Sequence, residues 1–317
     1  MNTAPSNALG SPNRDLEAMR SRIKSGILRQ HVFAFFGILF TSFAILVLLA
    51  AFLDLLFDGL PRLSWDFLTS FPSRHAEQAG ILSAWVGSAF VMLVTMFSAV
   101  PVGVGAAIYL EEYAGKNWFT DLIEINVTNL AGVPSIVYGL LALGLFVYQF
   151  GFGQSILAAG LTLALLILPI VIVSSREALR AVPINIREAA YGVGATRWQM
   201  ISHHLLPYSR GGILTGIILG MAEAIGQTAP LITIGALTFI AFLPEMPVTS
   251  EFPFLSLEWI WSGFTVLPIQ MYNWVSRPNV EFQFNAAAAG VVLLFMTLLM
   301  NSLAIYLRYQ VRKKIKW

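Results

Sequence analysis

The sequence predicts an all-α fold, a polytopic transmembrane helical bundle of six spans. Of its residues, 57% are hydrophobic and only 11% charged, less than half the roughly one-quarter charged share of a soluble domain. The apolar residues gather into long uncharged blocks, and the basic residues stand at the block ends, as suits anchoring beside anionic lipid. One bundle can hold all the blocks, so residues 32–310 form a single transmembrane domain between an N-terminal segment, 1–31, and a basic tail, 311–317. The formal charge of +2 is too small to suggest a nucleic-acid partner. No cysteine is present, which excludes disulfides, thiolate metal sites and a cysteine nucleophile.

A helix crossing hydrocarbon needs about 20 apolar residues, because each advances about 1.5 Å and unpaired backbone groups are intolerable in lipid. Six segments meet that: Val32–Leu53, Ile81–Leu110, Ile125–Phe150, Ser155–Ser175, Gly211–Leu237 and Ala286–Leu307. The first follows Arg14, Arg20, Arg22, Lys24 and Arg29. It outruns the roughly 7–15 apolar residues of a signal peptide and ends without an A-x-A site, so it reads as an uncleaved span. In the second, Pro101 with Gly103 and Gly105 after it predicts a kink or a meeting of two helices. Gly132 and Pro134 predict a bend in the third.

With the N-terminus inside, sixteen of the 19 Lys and Arg fall on one side: five before the first span, Lys116, five from Arg176 to Arg210 and five from Arg308 to Lys316. Arg62, Arg74 and Arg277 remain outside. Lys and Arg resist translocation whereas acids count little, so both termini are expected in the cytoplasm of an inner-membrane protein. One loop on that side is nevertheless acidic, with Glu111, Glu112, Asp121 and Glu124 against Lys116. The outside loop from Thr238 to Asn285 holds Pro244, Pro247, Pro253, Pro268 and Pro278 beside Trp259, Trp261, Tyr272 and Trp274. It is either a set of short helices along the membrane interface, where such rings prefer to sit, or an ordered connection.

Between spans four and five, residues 174–207 read SSREALRAVPINIREAAYGVGATRWQMISHHLLP. Ser174 or Ser175 can cap a helix ended by Pro183. Asn185 with Glu188 three residues on predicts a second start, and Thr196 with Gln199 a third. Gly192 and Gly194 break the middle helix. On it, Arg187 and Glu188 supply charge while Ala189 and Ala190 are too small to block close approach, which is a shape suited to docking.

The series Glu188, Ala189, Ala190, then Gly194, then Leu206 and Pro207 resembles the EAA signature of ABC-importer permeases, with His204 where the signature carries isoleucine. In that family the EAA helix sits in a cleft of a cytoplasmic ATPase, which makes Arg187, Glu188, Ala189, Ala190, Gly194, Leu206 and Pro207 the expected coupling residues. The stretches YLEEYAGKNW from Tyr109, NLAGVPSIVYGL from Asn129, GQTAPLI from Gly226 and FTVLPIQMYNWVSRP from Phe264 extend the resemblance over nearly the whole chain, to the PstA type of phosphate permease subunit. The resemblance implies a type I, MetI-like permease that moves inorganic phosphate. It implies as partners a PstC-type permease subunit, two copies of a PstB-type ATPase and a periplasmic phosphate-binding protein. ATP and Mg then belong to the ATPase, and this chain binds no cofactor. An importer of another oxyanion or small solute is the alternative. In agreement, no lysine sits in a G-x-x-x-x-G-K-[ST] phosphate loop.

Glu223 is the one charge within a span, and an ionisable residue there is a functional candidate by default. Glu223, Gln227 and Thr228 are expected to share a helix side facing the bundle interior, as part of a substrate path; the alternative is a Glu223 held by an arginine of a neighbouring permease, stabilising their interface without touching substrate. The resembled family carries arginine where Glu223 and Val173 stand and glutamate where Gln227 stands. Arg176, near one helical turn beyond Val173, is the expected replacement. The four histidines show no zinc-binding spacing, so no metal is assigned. An intramembrane enzyme would need a G-x-S-x-G or H-E-x-x-H motif, and neither is present. A secondary carrier would call for repeated or broken spans in matching halves, which the sequence does not display.

Overall fold

The computed structural model describes residues 12–115, 117–247, 254 and 256–313. Lys116, Pro253, Lys314 and Lys316 lie outside them, as do the side chains of Arg14, Arg20, Arg22, Lys24 and Arg312. The main helices are α1 (Pro12–Gly59), α2 (Trp65–Thr69), α3 (Leu82–Ile108), α4 (Trp118–Leu130), α5 (Ser135–Ala142), α6 (Ile156–Arg180), α7 (Ile184–Gly192), α8 (Arg197–Met200), α9 (Leu206–Ala224), α10 (Ala229–Thr233), α11 (Leu267–Val275) and α12 (Glu281–Lys313). No strand occurs among the described residues.

The chain divides into two units, Met1–Leu55 and Leu56–Trp317. The first is the body of α1, which is apolar enough to cross a membrane. In the second, α6 is the central helix, packed against α3 on one side and α9 on another. Its buried face, including Ile156, Leu163, Ile167 and Val171, joins Val91 and Ala99 of α3, Met221 and Ala224 of α9, and Leu231 of α10 in one core. Ser155 caps α6, its Oγ accepting from the Ala158 N–H at 3.2 Å. Among the described residues five helices are long and apolar enough to cross a membrane, and a bent pair makes a sixth if it is counted as one span.

That bent pair corrects the expectation of a continuous span from Ile125 to Phe150. α4 and the helix beginning at Ser135 meet at 108°. Pro134 has no N–H to continue α4 and disfavours helical geometry at Val133. At the break the Leu130 carbonyl accepts the Val133 N–H at 3.1 Å and the Tyr138 hydroxyl at 2.8 Å. The fifth span also ends earlier than expected: α9 stops at Ala224, and α10 begins only at Ala229 after a link containing Gly226. Pro101, in contrast, does not divide its span into two helices, for α3 runs through it and ends in a π-helical turn, Tyr109–Tyr113.

The segment 256–275 folds inward against the bundle. Trp259, Phe264, Leu267 and Trp274 are buried, while Trp261 and Tyr272 stay exposed. Side chain and backbone explain the inward fold, because the Leu267 N–H at the start of α11 donates to Ser88 Oγ of α3 at 2.9 Å. The Ser262 carbonyl accepts from Ile156 and the Phe264 carbonyl from Leu237. Satisfied polar groups of this kind permit burial in a bundle.

Candidate functional site

The hairpin between α6 and α9 differs from its sequence reading at the first two of its three expected starts. Ser174 and Ser175 cap nothing: α6 passes through them to Arg180, and Ser174 Oγ donates back to the Ile170 carbonyl at 2.7 Å. A serine bonded to its own helix in this way lets the helix continue. Likewise Asn185 is not a cap, since α7 begins at Ile184 after Pro183, which fixes the entry geometry.

The third expected start is present in full. The Gln199 N–H donates to Thr196 Oγ1 at 3.3 Å, and Gln199 Oε1 accepts from the Thr196 N–H at 2.9 Å, a reciprocal capping box. From Arg197 the helix is unbroken to Ala224. It widens to a π-helical turn at Ile201–Leu205, immediately before Leu206 and Pro207. Pro207 cannot donate and its ring crowds the preceding turn, so a wider turn is where a proline is accommodated.

α7 ends at Gly194. The Ala195 N–H bonds the Ala190 carbonyl and the Gly194 N–H bonds the Tyr191 carbonyl, both at 3.0 Å, which is the Schellman pattern. Gly194 has φ +84°, a left-handed conformation that costs other residues roughly 1–2 kcal/mol. Gly194→Ala is therefore expected to loosen the hairpin by about 1 kcal/mol. The measurement is amide hydrogen exchange, which should quicken across residues 184–200 and not in α6.

The EAA residues divide between two faces of α7. Glu188 and Ala189 are exposed, flanked by Ile184, Tyr191, Val193 and Trp198, also exposed. Ala190 is 4% exposed and packs with Ala107, Leu179, Met200, Ile201 and Leu205, so its small size serves internal packing. His204 is exposed and takes no part in that core. Arg187, expected on the docking face, turns inward. Its Nε and Nη2 donate to Glu112 Oε1 at 3.1 and 3.0 Å, its Nη1 to the Val182 carbonyl at 2.8 Å, and Nη2 also to the Leu179 carbonyl at 3.0 Å. The cause lies in the sequence: Pro183 cannot donate to Leu179 in the helical pattern, and a cation at a helix C-terminus satisfies such orphan carbonyls.

The same end of the bundle collects the other acids of the loop that looked anomalous. Arg180 holds Glu111 in a two-pronged contact at 3.2 and 3.0 Å. Arg176 hydrogen-bonds Glu124 of α4 and lies 3.7 Å from Glu111. The acidic surplus is thus the counterpart of arginines some 50 to 75 positions later in the chain. Sequence reasoning missed Glu111, Glu112 and Glu124 as site residues; their excess over Lys116 was the available signal.

The expected substrate-path residues are not brought together. Arg176 lines an open groove of about 360 Å³ between α4 and α6, with Val173, Glu124, Thr128 and Asn129. Val173 and Arg176 share this groove, and the Arg176 charge is engaged by the Glu111 and Glu124 carboxylates. Glu223 is exposed near the end of α9 and does not face this subunit's interior. Gln227 and Thr228 are half-buried in the link after α9 ends, so they form no helical stripe with Glu223. The Thr228 carbonyl instead accepts the Leu231 and Ile232 N–H groups of α10.

A bundle of apolar spans with a capped, ion-paired hairpin held rigidly at one end defines a polytopic membrane permease subunit. Residues 99–317 match the family described as binding-protein-dependent transport system inner membrane component. The chain belongs to that family. It is 30% identical over 274 residues to the probable ABC transporter permease protein YqgI of Bacillus subtilis, covering 85% of this chain and 91% of that one. It is 35% identical over 220 residues to the phosphate transport system permease protein PstA of Mycobacterium leprae (68% and 71% covered) and 32% over 247 residues to that of Xylella fastidiosa (78% and 81%). Among solved structures, the inward-facing MetNI methionine ABC transporter aligns with TM-score 0.56 at 16% identity, over 73% of this chain and 95% of that one, which shows the type I permease fold.

Proposed function

We propose that this chain is the PstA-type permease subunit of an importer that moves inorganic phosphate across the inner membrane, driven by a partner ATPase docked on α7. The sequence similarity to subunits named for phosphate transport supports the cargo. The observation that carries the coupling role is the division of the EAA helix into an inward face tied to the bundle and an outward face of Glu188 and Ala189 amid exposed Ile184, Tyr191, Val193 and Trp198. A partner gripping the outward face would move the bundle through the inward one. ATP binding then favours one arrangement of spans by its differential affinity for the two. In this reading both termini and the α7 hairpin are cytoplasmic, the second permease is of the PstC type, two PstB-type ATPases supply ATP and Mg, and a periplasmic phosphate-binding protein delivers the cargo.

Arg176, Glu223, Gln227 and Thr228 stand as the path residues. Phosphate is an anion, and Glu223 is exposed where the resembled family has arginine. A path along this subunit therefore requires a cation from its partner. That same residue favours the second reading, an importer of a different small solute.

Vesicles containing the whole complex are expected to take up labelled phosphate, with arsenate competing and sulfate not. Absence of phosphate uptake by an ATP-hydrolysing complex would transfer the cargo to the second reading. Glu188→Arg is expected to leave the subunit folded while lowering uptake about tenfold or more at retained ATP hydrolysis, in the ~1–3 kcal/mol range of coupling free energies. Unchanged uptake per ATP would remove Glu188 from the docking face.

A further inference from the structure

We infer that Glu112, at the end of the second apolar span, is the positioning residue through which the coupling helix moves the bundle. The inference rests on the coupling role of α7 proposed above. Glu112 belongs to the π-helical turn Tyr109–Tyr113 that terminates α3, and its side chain is 8% exposed. Arg187 of α7, 14% exposed, is its ion-pair partner. The same guanidinium holds the Leu179 carbonyl in the last turn of α6 and the Val182 carbonyl just beyond it. One cation therefore ties three elements: the helix that would meet the ATPase and the ends of the two helices that form the centre of the bundle.

Its place on α7 separates this pair from its neighbours: Arg176, 12% exposed, is as buried as Arg187, but it pairs with Glu111 and Glu124 and so joins α6 to the end of α3 and to α4. Arg180 is 54% exposed and Glu177 67%, and exposed pairs contribute little and hold position poorly. Arg187 and Glu112 are shielded from water, which strengthens their attraction and makes separation costly, because each would be left as an unpaired buried charge. Arg187 donates through all three guanidinium nitrogens, so its direction is fixed as well as its distance. α7 cannot shift along its docking direction without carrying the end of α3 or breaking this contact. Ala190, one turn from Arg187, packs in one cluster with Ala107 of α3 and reinforces the same connection.

The test uses the assembled complex in vesicles, with Glu112→Gln, Arg187→Gln, the exchange Glu112→Arg with Arg187→Glu, and Glu177→Gln as a control on an exposed pair. Uptake of labelled phosphate and ATP hydrolysis are measured together, with subunit accumulation followed in the membrane. Glu112→Gln preserves shape and leaves Arg187 its two carbonyl acceptors, so the subunit is expected to accumulate. Phosphate moved per ATP hydrolysed is expected to fall about fivefold or more, within the range of coupling effects. The charge exchange should recover part of that ratio, and Glu177→Gln should match the unaltered protein. A Glu112→Gln complex with an unchanged ratio would overturn the inference, as would a charge exchange no better than either single change. Should Glu112→Gln fail to accumulate, Glu112→Asp replaces it, and an unchanged ratio there counts equally against the inference. Glu188→Arg run in parallel separates the two ideas: if it uncouples and Glu112→Gln does not, the strut fails and the docking face stands, whereas if Glu188→Arg leaves coupling intact, the docking face itself fails.

Discussion

Replacing Gly216 by leucine is expected to separate α6 from α9 and prevent the subunit from folding. Gly212, Gly216 and Gly220 recur every fourth residue and so share one face of α9. A Cβ at Gly216 would stand 1.7 Å from Ser174 Oγ and 2.3 Å from Ser174 Cβ, and one at Gly212 would stand 2.5 Å from Ala178 Cβ. Spans in lipid gain little from the hydrophobic effect, so close van der Waals packing through small residues drives their association. Added methylenes in a packed interior cost about 1–3 kcal/mol. Here the first carbon already overlaps, and α6 is the helix around which the core forms, so leucine exceeds that range. The readout is loss of a monodisperse, protease-resistant subunit in detergent. Gly220→Ala meets nothing nearer than Ile167 Cβ at 3.4 Å and is expected to be much milder. Combining Gly216→Ala with Ser174→Gly should restore part of what Gly216→Ala alone removes. Normal accumulation of Gly216→Leu would show that the two helices have room to part.

Arg62→Ala is the second large effect, at the end of the bundle where α12 begins. Arg62 Nε donates to Asn285 Oδ1 at 2.7 Å, and Nη2 reaches the carbonyls of Ala76, Glu77 and Ala79 at 2.9, 2.6 and 3.2 Å. Its guanidinium also lies 5.2 Å from the centre of the Phe67 ring. Asn285, fully buried, completes the arrangement by donating to the Ala76 carbonyl at 2.8 Å. One side chain thus organises the turn after Leu60, the turn at 76–79 and the first turns of α12. Hydrogen bonds to charged groups contribute about 1.5–3 kcal/mol, and truncation leaves buried acceptors unpaired. A loss on the order of 3 kcal/mol is expected, seen as a lower melting temperature and faster exchange at residues 60–79. Arg62→Lys should recover little, because a point charge on a flexible stem cannot serve acceptors on several sides. An unchanged melting temperature for Arg62→Ala would contradict this role.

The spans were legible because their signal is additive along the chain: length and the absence of charge suffice for α1, α6 and α12. Interruptions were less legible. Pro101 and Pro134 look alike in sequence, yet α3 continues through one, and the chain turns by 108° at the other. The difference at Pro134 includes a side chain one turn further on, Tyr138, whose hydroxyl joins the Val133 N–H on the Leu130 carbonyl. In the hairpin, Thr196 with Gln199 was readable because both halves of a capping box are local. Ser174 and Asn185 misled because each has a second use for its position: the serine bonds its own helix, and Pro183 already opens α7. Local spacing also failed to reveal which way Arg187 points, since its partner is Glu112.

The ion pairs at this end impose an order on synthesis. Glu112 leaves the ribosome 75 residues before Arg187, and Glu124 leaves 52 residues before Arg176. At about 5–20 residues per second the carboxylates wait roughly 3–15 s for their cations. A chain stalled between Glu124 and Arg176 carries Glu111, Glu112 and Glu124 without their arginines; Glu111 and Glu124 gain theirs with the end of α6, and Glu112 only when α7 emerges. The contacts that fix the hairpin in the finished subunit therefore also time its assembly.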